Sequence, residues 1–90
     1  KQIWVMQPDG ILLYDDNPKE IGKNVFTDPL YKPYPDLIKL AEKISKRRRG
    51  KGTYTFLDTD GKKEIKKLAI WGTVGIYGTR WKIVLIDKHL

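Results

Sequence analysis

Two tyrosines and a lysine stand together in a proline-rich stretch, "TDPLYKPYPD", in the first half of the chain. Tyr31 and Tyr34 can each present a hydroxyl group to a ligand, and the ammonium group of Lys32 between them can meet a carboxylate. The three prolines exclude regular structure through most of the stretch, because proline fixes φ and has no amide proton. We predict a stiff aromatic loop, whose tyrosines either contact a ligand or pack the loop onto the core.

Three further candidates lie in the second half of the chain, in segments predicted to be strands. Tyr54 precedes the other two, and Thr73 is polar within an otherwise apolar run. Trp71 and Thr73 are two positions apart, so they share one face of their strand, although Trp71 also suits a purely structural role. Apolar walls with a few polar groups are typical of sites for small organic molecules. The predicted ligand-binding residues are Tyr31, Lys32, Tyr34, Tyr54, Trp71 and Thr73.

The sequence offers little for catalysis or metal binding. It contains no cysteine, which leaves the redox compartment open. His89 is the only histidine and lies one residue from the end of the sequence. Asp15 and Asp16 are neighbours on a predicted strand, so their side chains point to opposite faces and make a poor carboxylate pair. We therefore expect no enzymatic activity, no metal site and no cofactor.

The formal net charge of +7 comes from one short stretch. Six of the eighteen basic residues lie between positions 43 and 51, which leaves twelve basic against eleven acidic residues elsewhere. The stretch is predicted to be the cationic C-terminal end of a helix, stopped by Gly50. Nucleic-acid binding, or another macromolecular interaction, is the alternative function, and contact with anionic lipid headgroups is a third reading. We favour binding of a small organic molecule over binding of nucleic acid, because the positive charge is not spread across an aromatic sheet face.

The first third of the chain is predicted to form a β-hairpin and a helical turn. Trp4–Gln7 and Ile11–Asp15 are short apolar runs on either side of Pro-Asp-Gly, a turn composition. A single helical turn follows and ends at Gly22. The main helix then begins around Tyr34–Asp36, where proline suits the first turn. Its predicted buried stripe has helical spacing and consists of Leu37, Leu40, Ala41 and Ile44.

Three strands are predicted to follow the helix, at Gly52–Asp58, Lys63–Gly75 and Thr79–Asp87. The turns between them, "DTDGKK" and "IYGT", are short, so the strands form an antiparallel meander. The last two strands carry apolar residues on both faces. In a sheet with one face exposed to solvent, apolar and polar residues alternate along each strand, so we expect both faces to be covered. We expect the helix and the aromatic loop to cover one face. An element preceding Lys1, or a second copy of the domain, is expected to cover the other.

Three segments of the chain resemble those of Cache domains, which are extracytoplasmic PAS-like sensor domains. "WVMQPDGILLYDDNPKEIGKNVF" resembles their opening hairpin, "DPLYKPYPDL" is similar to their ligand-closing loop, and "AIWGTVGIYGTRWKIVL" is similar to their last two strands. Together with the meander, the resemblance implies an α+β fold with a five-stranded antiparallel sheet in the order 2-1-5-4-3. It also implies a long N-terminal helix on the outer face, which this sequence lacks.

The resemblance implies a function as well. Residues 1–90 would be a single sensing domain cut from a longer, membrane-anchored receptor, such as a prokaryotic histidine kinase or chemoreceptor. The domain would lie outside the cytoplasm, bind a small organic ligand such as a carboxylate or an amino acid, and form a homodimer in the parent receptor. No nucleic-acid partner is expected.

Overall fold

One antiparallel sheet and one helix form the domain in a computed structural model, which describes residues 2–57 and 62–90. The strand order is β2-β1-β5-β4-β3, which confirms the predicted order. The strands are β1 (Gln2–Met6), β2 (Leu12–Asp15), β3 (Gly50–Leu57), β4 (Glu64–Ile76) and β5 (Thr79–His89). The helix is α1 (Pro35–Lys46), and two short 3-10 turns span Pro18–Glu20 and Pro29–Tyr31.

The predicted β4–β5 turn is present and has a sharply defined geometry. Tyr77 and Gly78 both adopt positive φ values, 54° and 81°. Two consecutive left-handed residues give a turn whose twist matches that of the strands it joins. The turn predicted at positions 58–63 lies largely outside the described residues.

Helix α1 begins where the sequence predicts and ends earlier. Its four predicted core residues are all buried. However, the helix ends at Lys46, and Arg47 is already extended, with φ −114° and ψ 142°. The carbonyl of Arg47 accepts hydrogen bonds from β4 and β5, which explains why the chain leaves the helix there. The prediction of Gly50 as the helix stop was therefore wrong, because Gly50 is the first residue of β3.

Two glycines of β3 allow the helix and the sheet to approach closely. A Cβ atom on Gly50 would lie 2.6 Å from Cζ2 of Trp71, and one on Gly52 would lie 2.7 Å from Cδ1 of Leu40. Neither distance is possible without movement of the neighbour. Glycine in β3 therefore serves packing, with Trp71 occupying the space at one glycine and α1 the space at the other.

The face of the sheet beneath α1, here called the inner face, carries the core. Trp71 lies opposite Val84 and Ala69 opposite Ile86 across the β4–β5 ladder, and all four are buried. The inner face also holds two buried lysines, Lys67 on β4 and Lys82 on β5, which are 5% and 3% exposed. These lysines lie at opposite ends of the sheet. An ammonium group therefore lies at each of the two ends of the core.

The opposite, outer face is apolar and uncovered in the described chain. Leu85 of β5 lies between Ile3 and Ile70, and Trp81 lies opposite Val74. Leu85 is 43% exposed and Ile70 is 42% exposed. The expectation that a further element or a second copy covers this face stays a prediction.

Candidate ligand-binding site

A cavity of about 50 Å³ lies at one end of the inner face, between the aromatic loop and strands β1, β3 and β4. One water molecule needs roughly 10–15 Å³ by this measure, so the cavity has room for about four. Its walls are largely aromatic, and several polar side chains reach it. The side chains that form these walls and supply these polar groups include Trp4, Asp15, Glu20, Tyr31, Tyr54, Phe56 and Lys67.

Tyr31 closes the cavity from the loop side. The 3-10 turn that carries it is capped by Asp28, whose carboxylate accepts a hydrogen bond from the amide of Leu30 at 3.0 Å. Tyr31 is 1% exposed, and its ring lies 5.6 Å from that of Phe56, centroid to centroid. Its hydroxyl donates to Oε1 of Glu20 at 2.8 Å. Burial, and then this hydrogen bond, raise the pKa of Tyr31, so the hydroxyl stays a neutral donor.

Three acidic side chains line the cavity, namely Asp15 at the end of β2, the exposed Asp16 after it, and Glu20 in the following 3-10 turn. Glu20 is buried, and this burial raises its pKa even though the Tyr31 hydroxyl and Lys67 act in the opposite direction. Burial also raises the pKa of Asp15 to about 6, with Glu20 adding to the effect. The amide of Asn17 donates to Oδ1 of Asp15 at 2.8 Å. The cavity therefore contains a carboxyl group that changes its charge near neutral pH.

Lys67 supplies the positive charge at this end of the sheet. Its Nζ donates to the carbonyl of Leu57 at 3.0 Å and to Oε1 of Gln2 at 3.1 Å, and it lies 5.9 Å from the centroid of the Phe56 ring. Its charge lowers the pKa of Asp15 and of Glu20, which limits the effect of burial on both. The Lys67 ammonium thus shares one small space with the carboxyl groups of Asp15 and Glu20, and the exposed Asp16 is a third acidic residue of the lining.

The floor of the cavity is an aromatic pair. Tyr54 of β3 and Trp4 of β1 meet edge to face, with ring centroids 6.4 Å apart. Burial raises the pKa of Tyr54, although a hydrogen bond from Trp4 lowers it. Both side chains are buried and project from regular strands, so the floor is a rigid part of the site.

The predicted ligand-binding residues do not all lie together. Tyr31 and Tyr54 line the cavity. Tyr34 is half-buried outside the lining, where its ring meets that of Phe56 at 4.9 Å, and Lys32 is exposed. Trp71 and Thr73 lie towards the other end of the inner face. There the Trp71 Nε1 donates to the carbonyl of Arg47, and the Thr73 hydroxyl donates to that of Arg48.

Most residues of the cavity lining are not among the predicted ligand-binding residues. On sequence grounds, Trp4 is placed only within the first predicted strand, and Asp15 is weighed only as half of a carboxylate pair. Neither Glu20 nor Lys67 is singled out there. A signal for Lys67 exists, since it is two residues before Ala69 and therefore in phase with the buried face of β4.

A five-stranded antiparallel sheet with its helix and loop on one face, and a cavity beneath the loop, defines a PAS-like fold. Solved protein structures from three organisms are similar to this chain in fold. An extracellular ligand binding receptor from Desulfohalobium retbaense is 28% identical over 92% of this chain, with a TM-score of 0.59. This chain spans 11% of that receptor's length.

The other two neighbours are PAS domains of lower identity, so they show the fold alone. The PAS-B domain of Drosophila melanogaster Cycle, with bound ethylene glycol, is 13% identical over the full length of both chains, with a TM-score of 0.62. A PAS domain of an HTR-like protein from Haloarcula marismortui is 15% identical over 99% of this chain and 80% of its own, with a TM-score of 0.66. No protein-family model and no curated protein matches the sequence.

Neither a membrane span nor a metal centre is found in the described part of the chain. No helix within residues 2–57 and 62–90 is long and apolar enough to cross a bilayer. The same residues contain no group of three or more acidic or histidine side chains able to hold a metal ion.

Proposed function

We propose that this chain is a Cache-type sensor domain, which binds a small organic ligand outside the cytoplasm and acts without catalysis. The cavity beneath Tyr31 is the observation that carries the proposal. The likeness to an extracellular ligand binding receptor and to PAS domains supports a sensory role. The parent protein would be a membrane-anchored receptor, such as a histidine kinase or a chemoreceptor.

A small amino acid suits the groups that face the cavity. Its ammonium would meet the carboxyl groups of Asp15 and Glu20, and its carboxylate would meet Lys67 and the hydroxyl of Tyr31. A ligand of about four or five non-hydrogen atoms replaces the water that the cavity can hold, whereas a larger one must displace the loop. A plain carboxylate would use Lys67 and Tyr31 alone. With either ligand, the Tyr31 hydroxyl would give up its hydrogen bond to Glu20 and donate to the ligand instead. Binding would therefore change a contact made by the loop itself.

Signalling requires the ligand to favour one of two states of the domain, because a ligand with equal affinity for both shifts nothing. The loop leads directly into α1, since the amides of Leu37 and Ile38 bond back to the carbonyl of Tyr34. A change at Tyr31 therefore reaches the helix through a short, proline-stiffened segment. We propose that α1, the terminal strand and a partner on the outer face carry the change towards the membrane, with the receptor acting as a homodimer.

A thermal-shift panel of amino acids and short-chain carboxylates tests the proposal. A compound present at about 100 times its dissociation constant stabilises the folded domain by about 2.7 kcal/mol, a shift of roughly 10–20 °C for a domain of this size. Tyr31→Phe is expected to weaken binding, because it removes the hydroxyl at the cavity. Tyr77→Phe is the matched control, since Tyr77 is fully exposed at the distant β4–β5 turn.

Two results would contradict the proposal. One is a panel in which no compound stabilises the domain. The other is a stabilising compound whose affinity Tyr31→Phe and Tyr77→Phe leave equally unchanged, because such a compound binds elsewhere.

A further inference from the structure

A second concave site lies at the other end of the inner face, where α1 ends against the β4–β5 hairpin. It is a groove of about 630 Å³. Four of the residues that line it are basic, namely Lys46, Arg48, Arg80 and Lys82. Hydroxyl side chains complete much of the remaining wall, and none of the described lining residues is acidic.

The floor of the groove is held in place by hydrogen bonds to the buried Lys82 and the half-buried Thr73. Nζ of Lys82 donates to Oγ1 of Thr73 at 2.8 Å and to the carbonyl of Arg47 at 3.2 Å. The Thr73 hydroxyl in turn donates to the carbonyl of Arg48 at 2.6 Å. These bonds hold the extended residues after α1 against β4 and β5. The ammonium of Lys82 has three donors, of which these bonds use two, so a third remains for a ligand.

The cations at the groove are not neutralised within the described chain. Lys46, Arg48 and Arg80 are exposed, and none of them forms an ion pair with a described carboxylate. Burial lowers the pKa of Lys82, and the charges of Arg80 and Arg48 lower it further. Both charges thus repel the Lys82 ammonium. A bound anion would remove this repulsion and would accept hydrogen bonds from arginine forks, which suit phosphate oxygens.

We propose that this groove is a binding site for a phosphate group, carried either by a soluble phosphoester or by an anionic lipid headgroup. Lys82 would hold the phosphate at the base of the groove, while Arg48 and Arg80 would hold it from the two sides. The site is separate from the aromatic cavity and does not depend on the function proposed above.

Calorimetric titration with pyrophosphate tests the site in the full chain. We expect Arg48→Gln and Arg80→Gln each to weaken binding about tenfold, because each removes a charged hydrogen-bond donor. Lys39→Gln is the matched control. It removes the same charge from the exposed side of α1, outside the groove, and is expected to change affinity less than twofold. All three residues are exposed, so circular dichroism should show equally folded variants.

Vesicles distinguish the two sources of phosphate. The vesicles contain phosphatidylcholine and phosphatidylglycerol. If the domain binds them, loses bound pyrophosphate as it does so, and binds them more weakly as Arg48→Gln, the ligand is a lipid headgroup. Pyrophosphate binding without vesicle binding identifies a soluble phosphoester. The proposal is overturned by an absence of pyrophosphate binding. It is equally overturned if Lys39→Gln weakens binding as much as Arg48→Gln does. This holds whether the ligand is pyrophosphate, the vesicles or a random oligonucleotide, because equal losses indicate a nonspecific attraction to the positive charge of the domain.

Discussion

Lys67 and Lys82 are both buried on the inner face of the sheet, yet their surroundings differ in sign. Lys67 lies with Asp15 and Glu20 at the aromatic cavity, and its charge lowers the pKa of both carboxyl groups. Lys82 lies with Arg48 and Arg80 at the cationic groove, and their charges lower its own pKa. Each ammonium donates to a backbone carbonyl.

The difference shows how one fold can prepare two kinds of site. At the cavity the protein supplies both signs of charge, so a neutral or zwitterionic ligand can enter without leaving an ion uncompensated. At the groove it supplies only cations, so an external anion completes the site. Removing Lys67 therefore tests an attraction between opposite charges, and removing Lys82 tests a repulsion between like charges.

The largest effect is expected at the cavity. Lys67→Met keeps an apolar stem over Phe56 but removes the ammonium from the Leu57 carbonyl and from the two carboxyl groups. Loss of one partner of a buried charged group costs several kcal/mol, so we expect the free energy of unfolding to fall by about 3 kcal/mol at pH 7.5. Urea denaturation measures it. The loss should shrink at pH 5, where Asp15, with a pKa of about 6, gains a proton, and a loss independent of pH would contradict the proposed charge balance.

Packing beneath the groove gives the next largest effect. Gly50→Ala places a Cβ against the buried ring of Trp71, and overpacking of this kind costs about 2 kcal/mol. Gly72→Ala is the control, because no atom lies within 4 Å of the Cβ it would add. Chemical denaturation of both variants should show a large loss for the first and little change for the second. Equal losses would mean that the contact between Gly50 and Trp71 is not what fixes this end of the sheet.

A pH-dependent effect is expected from Asp15. Its folded pKa, about 6, is above the ordinary value of 3.8, so the folded state binds the proton more tightly. The contribution of Asp15 to stability is therefore fully present below about pH 4 and is lost as the pH rises through 6. After allowance for solvent screening, the loss is about 1–2 kcal/mol. Asp15→Asn should become more stable than the wild type by this amount between pH 4 and pH 7, and a constant difference would contradict the shift.

The smallest effect is expected at the groove. Lys82→Met removes two hydrogen bonds but also removes the repulsion from Arg48 and Arg80. We expect these effects nearly to cancel, with a change in unfolding free energy within about 1 kcal/mol at pH 7.5 and low phosphate. Urea denaturation beside Lys67→Met gives the comparison. A loss as large as that of Lys67→Met would mean that the two lysines are equivalent and that the sign of the surrounding charge does not separate them.

Much of the fold could be predicted from periodicity and turn composition. The stripe of α1 and the short turn between β4 and β5 depend on nearby residues, which the sequence displays directly. The end of α1 could not be predicted, because the carbonyl of Arg47, the residue after the helix, accepts hydrogen bonds from β4 and β5 residues 24 and 35 positions away.

The candidate site could be predicted only in part, for a geometric reason. Strand parity places Trp71 and Thr73 on one face of β4, but it says neither which face is the inner one nor which end of that face the loop covers. The loop covers Lys67, which is four residues before Trp71 and therefore about 13 Å away along β4. Tyr31 and Tyr54 thus lie at the cavity, whereas Thr73 lines the groove. Buried lysines are also hard to predict, because charged side chains are almost never fully buried unless paired.

The indole N–H resonances of the three tryptophans test the central claim most directly, since Trp4 lines the cavity, Trp71 bonds to Arg47 near the groove and Trp81 lies on the outer face. They can be followed in one nitrogen-correlated NMR spectrum while the amino acids and carboxylates of the panel are added. We predict that a stabilising compound shifts Trp4 more than it shifts Trp71 or Trp81. A spectrum in which such compounds move Trp71 or Trp81 instead of Trp4, or move none of the three, would contradict a ligand site beneath Tyr31.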